Sequence, residues 1–272
     1  MPETAPSHRP VATPGRITAA AIGATAILLL PLALWRLAYH VTDAAALALL
    51  LLAAVLFLGS LRIALPVHRA QMSVAIRRDT WLAHLASGRL RAIAFATLFV
   101  VLGIPVFAWH AWSASRLELG LLACLVVCAA ALALAAEARL SPLLTPPFAR
   151  SVAAALATVA PALVLVPVMT WANWSYLDHP AAMKTASLVE AMRIGLQVLP
   201  PRAGLPAEFL SPFAVADGAK LWLVVQETAP RWLSFWFSLD SALVGLLAAR
   251  AAALLAFLVP VSGQGFSHAD TL

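Results

Sequence analysis

Five stretches of this chain, residues 17–35, 44–61, 92–115, 119–136 and 151–177, contain no Asp, Glu, Lys or Arg. A sixth, from Trp232 to Val261, is interrupted only by Asp240 and Arg250. A helix needs about 20 apolar residues to cross the hydrocarbon core of a bilayer, so runs of this length fit membrane crossings. In lipid every backbone polar group must be satisfied internally, which makes such runs α-helical. A large soluble protein can bury one or two helices of this kind; it does not supply six. The predicted fold is therefore all-α, a polytopic membrane protein built as a bundle of six transmembrane helices. Composition agrees, since 62% of the 272 residues are hydrophobic, 11% are charged and the mean hydropathy is +0.91.

The crossings are expected at 17–39, 43–65, 91–113, 117–137, 151–177 and 232–260. That divides the chain into a disordered tail at 1–16, a five-helix bundle at 17–177, an extracytoplasmic loop at 178–231, the sixth crossing at 232–260 and a short tail at 261–272. The first tail carries Pro2, Pro6, Pro10 and Pro14 and little apolar mass, the composition of a segment that cannot build a core. The apolar run after Arg16 is too long for a signal-peptide core and lacks a small-residue cleavage site behind it, so it reads as a retained anchor.

The arginines set the expected orientation. Alternate joints place Arg9, Arg16, Arg62, Arg69, Arg77, Arg78, Arg89, Arg91, Arg139 and Arg150 on one side, against Arg36 and Arg116 in the short joints opposite. Basic residues accumulate on the cytoplasmic side, so both termini are expected to be cytoplasmic. The long loop 178–231 then lies outside with Lys184, Arg193, Arg202, Lys220 and Arg231, a weakening that long loops tolerate. The net charge of +6 and pI of about 10.3 follow from this asymmetry, and no compact basic domain points to nucleic acid. Arginine dominates the basic residues and alanine is abundant, the coding bias of a GC-rich bacterium, so the expected location is a bacterial inner membrane.

Within the crossings a few residues stand out. Pro161 and Pro167 in helix five each remove an internal hydrogen bond, making that helix the expected hinge, while a static kink is the plainer alternative. Cys124 and Cys128 share a face one turn apart; with no His or acid beside them they read as small packing residues, not metal ligands. Asp240 and Arg250 lie about 15 Å apart along helix six, too far to pair directly. Gly245, Ala249, Ala252 and Ala242 gather on the opposite side as a close-packing face. An intramembrane charge is a functional-site candidate, so Asp240 and Arg250 form the expected intramembrane polar site. The plainer alternative has Asp240 near the boundary and Arg250 snorkelling to the headgroups.

Two joints carry amphipathic signals. Residues 67–90 combine Val67, Val74, Trp81 and Leu85 with Arg69, Arg77 and His84, as a helix on anionic lipid would. In 186–199, Leu188, Ala191, Met192, Gly195, Leu196 and Leu199 form one face and Glu190, Arg193 and Gln197 the other. Pro200, Pro201, Pro206 and Pro212 are expected to form an irregular connector to a second helix at roughly 214–228.

His40, His110 and His179 fall at helix ends beside Trp109, Trp112, Trp171 and Trp174, and facing histidines can ligate haem between helices. The stretches Trp109 to Arg116 and Trp171 to Pro180 resemble parts of the haem-handling proteins of cytochrome c maturation, where tryptophan-rich outer loops and flanking histidines cradle haem. The chain departs from that family where Ser113 follows Trp112 and no Trp-Asp closes the loop. No zinc-protease motif, phosphate-binding glycine loop or nucleophile elbow is present in the sequence. The expected function is a permease-like or scaffold subunit of a transport or secretion assembly, with the lipid bilayer and other membrane or periplasmic subunits as partners. No metal or other cofactor is expected on this reading. The alternative is a haem-binding or electron-transfer membrane protein using His40, His110 and His179.

Overall fold

A computed structural model describes residues 14–75, 88–175, 181–199, 204–225 and 239–259. Five long helices come first: α1 (Pro14–Ala38), α2 (Ala45–Ala75), α3 (Arg89–Ser113), α4 (Arg116–Leu140) and α5 (Pro146–Ser175). After a 3-10 turn at Ala181–Lys184 come α6 (Leu188–Gln197), α7 (Leu205–Val225) and α8 (Leu239–Ala256). Six of these, α1 to α5 and α8, are long and apolar enough to cross a membrane. The protein is thus an all-helical, polytopic membrane protein in architecture.

α8 is the axis of the bundle. Of its spanning window 61% is buried, against 33% at most in the other five crossings, and α1, α2, α3, α4 and α5 all pack against it. Alanine makes this possible. Ala248, Ala249, Ala251, Ala252, Ala253 and Ala256 are buried, and small side chains let helices approach closely where lipid offers no hydrophobic drive. Gly245 belongs to the same surface, because a Cβ there would lie 2.8 Å from Val166 Cγ2 of α5 and 3.3 Å from Leu125 Cδ2 of α4. The expected close-packing face is therefore buried at Gly245, Ala249 and Ala252, with Ala242 half-buried. The other faces of the bundle carry exposed Leu30, Leu50, Leu98 and Leu163, as lipid-facing surfaces do.

Local chemistry explains the ends. α4 starts on a capping box: Ser115 Oγ accepts from the Glu118 backbone N–H, and the Glu118 carboxylate accepts from the Ser115 N–H. At the far end of α4, Glu137 pairs with Arg150 of α5 at 2.7 Å, tying the antiparallel neighbours across the short joint. α5 is helical throughout, including Pro161 and Pro167.

Several boundaries differ from the sequence expectation. α1 begins at Pro14, so the last three residues of the expected tail are helical; a proline is tolerated in a first turn, where its missing N–H would be unpaired anyway. α2 continues through Pro66 to Ala75, past the expected end at residue 65, and absorbs the beginning of the joint helix expected at 67–90. Packing supports that extension, with the His68 ring stacked on Phe95 of α3 at 5.8 Å. Trp81 and the arginines at 77 and 78 lie outside the described residues. α8 ends at Ala256 and the chain turns at 257–259. Pro206 and Pro212 are not in a connector; both lie within α7, which starts at Leu205. Cys124 and Cys128 are free and exposed, so they face outward and do not pack in the interior.

Candidate functional site

Asp240, His40 and His110 lie at the end of the bundle that carries the α6–α7 hairpin. An aromatic layer forms there first. Trp35 of α1 is fully buried; its Nε1–H donates to the Ala108 carbonyl of α3 at 3.2 Å, and its ring meets Tyr39 and Phe209 edge-on at 5.5 and 6.5 Å. Trp109 stacks on Phe213 at 6.4 Å. Phe209 and Phe213 belong to α7, so this layer seats the hairpin on α1 and α3. Arg36 donates to the Ala111 and Ala114 carbonyls, supplying cationic partners to the C-terminal end of α3, where the helix dipole favours them.

The hairpin closes on two glycines. A Cβ at Gly195 would lie 2.3 Å from the Ala214 carbonyl oxygen, and one at Gly218 would lie 2.4 Å from the Ala191 oxygen. Ala191 and Gly195 sit one turn apart on α6, as do Ala214 and Gly218 on α7, the small-xxx-small pattern of helices in backbone contact. Trp222 Nε1–H adds a hydrogen bond to the Ala186 carbonyl at 2.8 Å. α6 itself starts on a second capping box, between Ser187 and Glu190. Hydrogen bonds from the Ser187 backbone N–H and hydroxyl hold the exposed Glu190 carboxyl below its usual range. A depressed carboxyl stabilises the fold above its ordinary titration range and loses that contribution as pH falls through the lowered value. Protection of the amides in the first turn of α6, taken relative to their intrinsic exchange rate, should therefore fall in strong acid and stay constant from pH 6 to 8.

Charge joins the hairpin to the axis. Lys220 of α7 pairs with Asp217 at 2.7 Å and with Asp240 at the start of α8. Burial works against the ammonium, but Asp217 and Asp240 outweigh it and raise Lys220 above the usual lysine range. The group is a fixed cation at neutral pH, so it serves as a clasp and not as a base. A raised lysine contributes stability below its unfolded value and loses it as pH climbs through the folded one, so the lysine's contribution to the clasp should be constant from pH 6 to 9 and be lost in strong alkali. Since half of the Asp240 side chain is exposed, Lys220→Met should cost about 1 kcal/mol or less, read as faster amide exchange in the C-terminal half of α7.

The sequence-predicted residues do not assemble into one site. Asp240 is at the hairpin end of α8, and Arg250 lies three turns along the same helix, half-buried; they do not pair. His40 is exposed, its ring against Trp112 at 5.2 Å and Tyr39 at 5.8 Å. His110 is buried, 7% exposed, and its Nε2 has no hydrogen-bond partner among the described residues. His179 lies outside the described residues. Among the described residues, no three of His, Cys, Asp and Glu gather as a metal site would require. Sequence reasoning missed Lys220 as the partner of Asp240, because no local pattern links positions 20 residues apart. It also passed over the paired Ala-x3-Gly spacings, which were visible in the sequence.

This geometry defines the class, a helical membrane bundle with a clasped helical hairpin at one end. Comparison with protein-family models, curated proteins and solved structures finds no match for the chain.

Proposed function

We propose that this protein is a scaffold subunit of a transport or secretion assembly in a bacterial inner membrane, with both termini cytoplasmic and the α6–α7 hairpin on the outer face. The observation that carries this reading is the filled centre of the bundle. A permease needs a path between its helices, whereas here the axis is occupied by α8, whose alanines from Ala248 to Ala256 are packed against their neighbours. The hairpin supports the same reading: Val189 and Val198 of its surface remain exposed, and an apolar surface outside the membrane spans suits a protein partner or the lipid interface. The orientation rests on the arginine asymmetry.

Deletion of the gene in its own host should abolish one transport or secretion activity, while the purified protein alone in liposomes should move no solute. Solute flux by the isolated protein would contradict the scaffold reading and favour a permease, with Pro161 and Pro167 as the hinge of α5. Asp240→Asn should leave protein abundance unchanged and reduce the activity of the assembly; a fall in abundance would assign Asp240 to stability alone.

The haem alternative keeps one supporting observation, the buried Nε2 of His110, which has no hydrogen-bond partner among the described residues. A haem protein would purify coloured, with a Soret band lost on His110→Ala. Colourless protein from haem-replete cells would remove that reading.

A further inference from the structure

α8 is enclosed on every side but one. Its open stripe contains Leu243 and Leu246, 52% and 42% exposed, and Arg250 follows on the same helical side. Arg250 makes no ion pair or side-chain hydrogen bond among the described residues. Along the axis it lies about 16 Å from Leu239 and about 9 Å from Ala256. Beyond Ala256 the chain is still deep in the bundle: Val259 abuts Gly23 of α1, a position about 13 Å along the helix from Pro14. Arg250 is thus far from both ends of the bundle, at a depth where lipid phosphates are out of snorkelling range. A charge at that depth needs a partner.

The described residues of the spans do not offer one. Among the described residues of the six spans the acids are Glu118, Glu137 and Asp240. Glu118 is held in its capping box, Glu137 by Arg150 and Asp240 by Lys220. Within the described residues of the spans, a second copy would therefore bring another arginine and no free carboxylate.

We propose that the open stripe of α8 docks a membrane helix of a different subunit, and that an Asp or Glu midway along that helix pairs with Arg250. This inference rests on the scaffold reading above and specifies the partner's chemistry. The test is to purify the full-length protein from its own membranes in mild detergent, as wild type and as Arg250→Leu and Arg250→Lys, and to place a photo-crosslinking residue at Leu246 in the otherwise native chain. Arg250→Lys should retain the complex. Arg250→Leu should lower its yield at least about tenfold while the monomer stays folded, because the partner's carboxylate is left uncompensated. The cross-link should fall on a membrane helix bearing an acid, and reversing both charges, Arg250→Glu with that acid changed to Arg, should restore the complex. A complex unaffected by Arg250→Leu, or a cross-link to lipid or to a second copy of this chain, would overturn the docking proposal and leave the scaffold reading standing. Absence of any complex in the wild type would overturn both.

Discussion

Replacing Gly218 with Leu should open the α6–α7 hairpin. A Cβ at this position would sit 2.4 Å from the Ala191 carbonyl oxygen and 3.0 Å from the Gly195 Cα. Both obstacles are backbone, so no side-chain rotation relieves the clash; the helices must separate. Overpacking of this kind costs about 1–3 kcal/mol in ordinary cores and more where the backbone is the obstacle. α6 is only 10 residues long, too short to persist alone, so separation should also melt it. Hydrogen exchange is the appropriate measurement. Protection in 188–197 and in the second half of α7 should be lost, while α1 to α5 and α8 keep theirs. Gly195→Leu should produce the same pattern, since its Cβ meets the Ala214 oxygen from the other side. Unchanged protection in either variant would mean the two helices are not in backbone contact.

Ala252→Phe should have a larger and wholly different effect, loss of the folded bundle. Ala252 is fully buried on α8, and α8 is in contact with each of the other five spans. A phenyl ring there has nowhere to go without moving α8 away from its neighbours, and the small-residue contacts that hold a membrane bundle fail together when helices part. Folded protein in detergent should fall to a minor fraction, with aggregated material in its place. Leu98→Phe, at an exposed site on α3, adds less bulk on a lipid-facing surface and should leave the yield unchanged. Equal yields for the two variants would remove α8 from the centre of the fold.

The six crossings were legible in the sequence because lipid imposes a one-dimensional rule, a long run without charge. The small-residue side of α8 was legible too, since Gly245, Ala249 and Ala252 recur at helical spacing. That α8 would be the axis was not, because every crossing is similarly apolar and only three-dimensional packing distinguishes an enclosed helix from a peripheral one. The end of α2 was expected at residue 65, but the helix runs on through Pro66 to Ala75; a membrane helix can carry a proline when neighbours satisfy the freed carbonyl. Pro206 and Pro212 suggested a connector where α7 is helical. At the hairpin end, Asp240 was identifiable as an anomaly. Its partner Lys220, the Trp35–Phe209 contact and the burial of His110 depend on segments distant in sequence, and no periodicity encodes them.

The central claim is that this bundle is one part of a larger membrane assembly, and its native mass tests that most directly. Extracted gently from its own membrane and measured by native mass spectrometry, the protein should appear in a particle well above its own 28.7 kDa, with at least one other polypeptide in fixed ratio. A particle containing only this chain, in every detergent and in nanodiscs, would contradict the account.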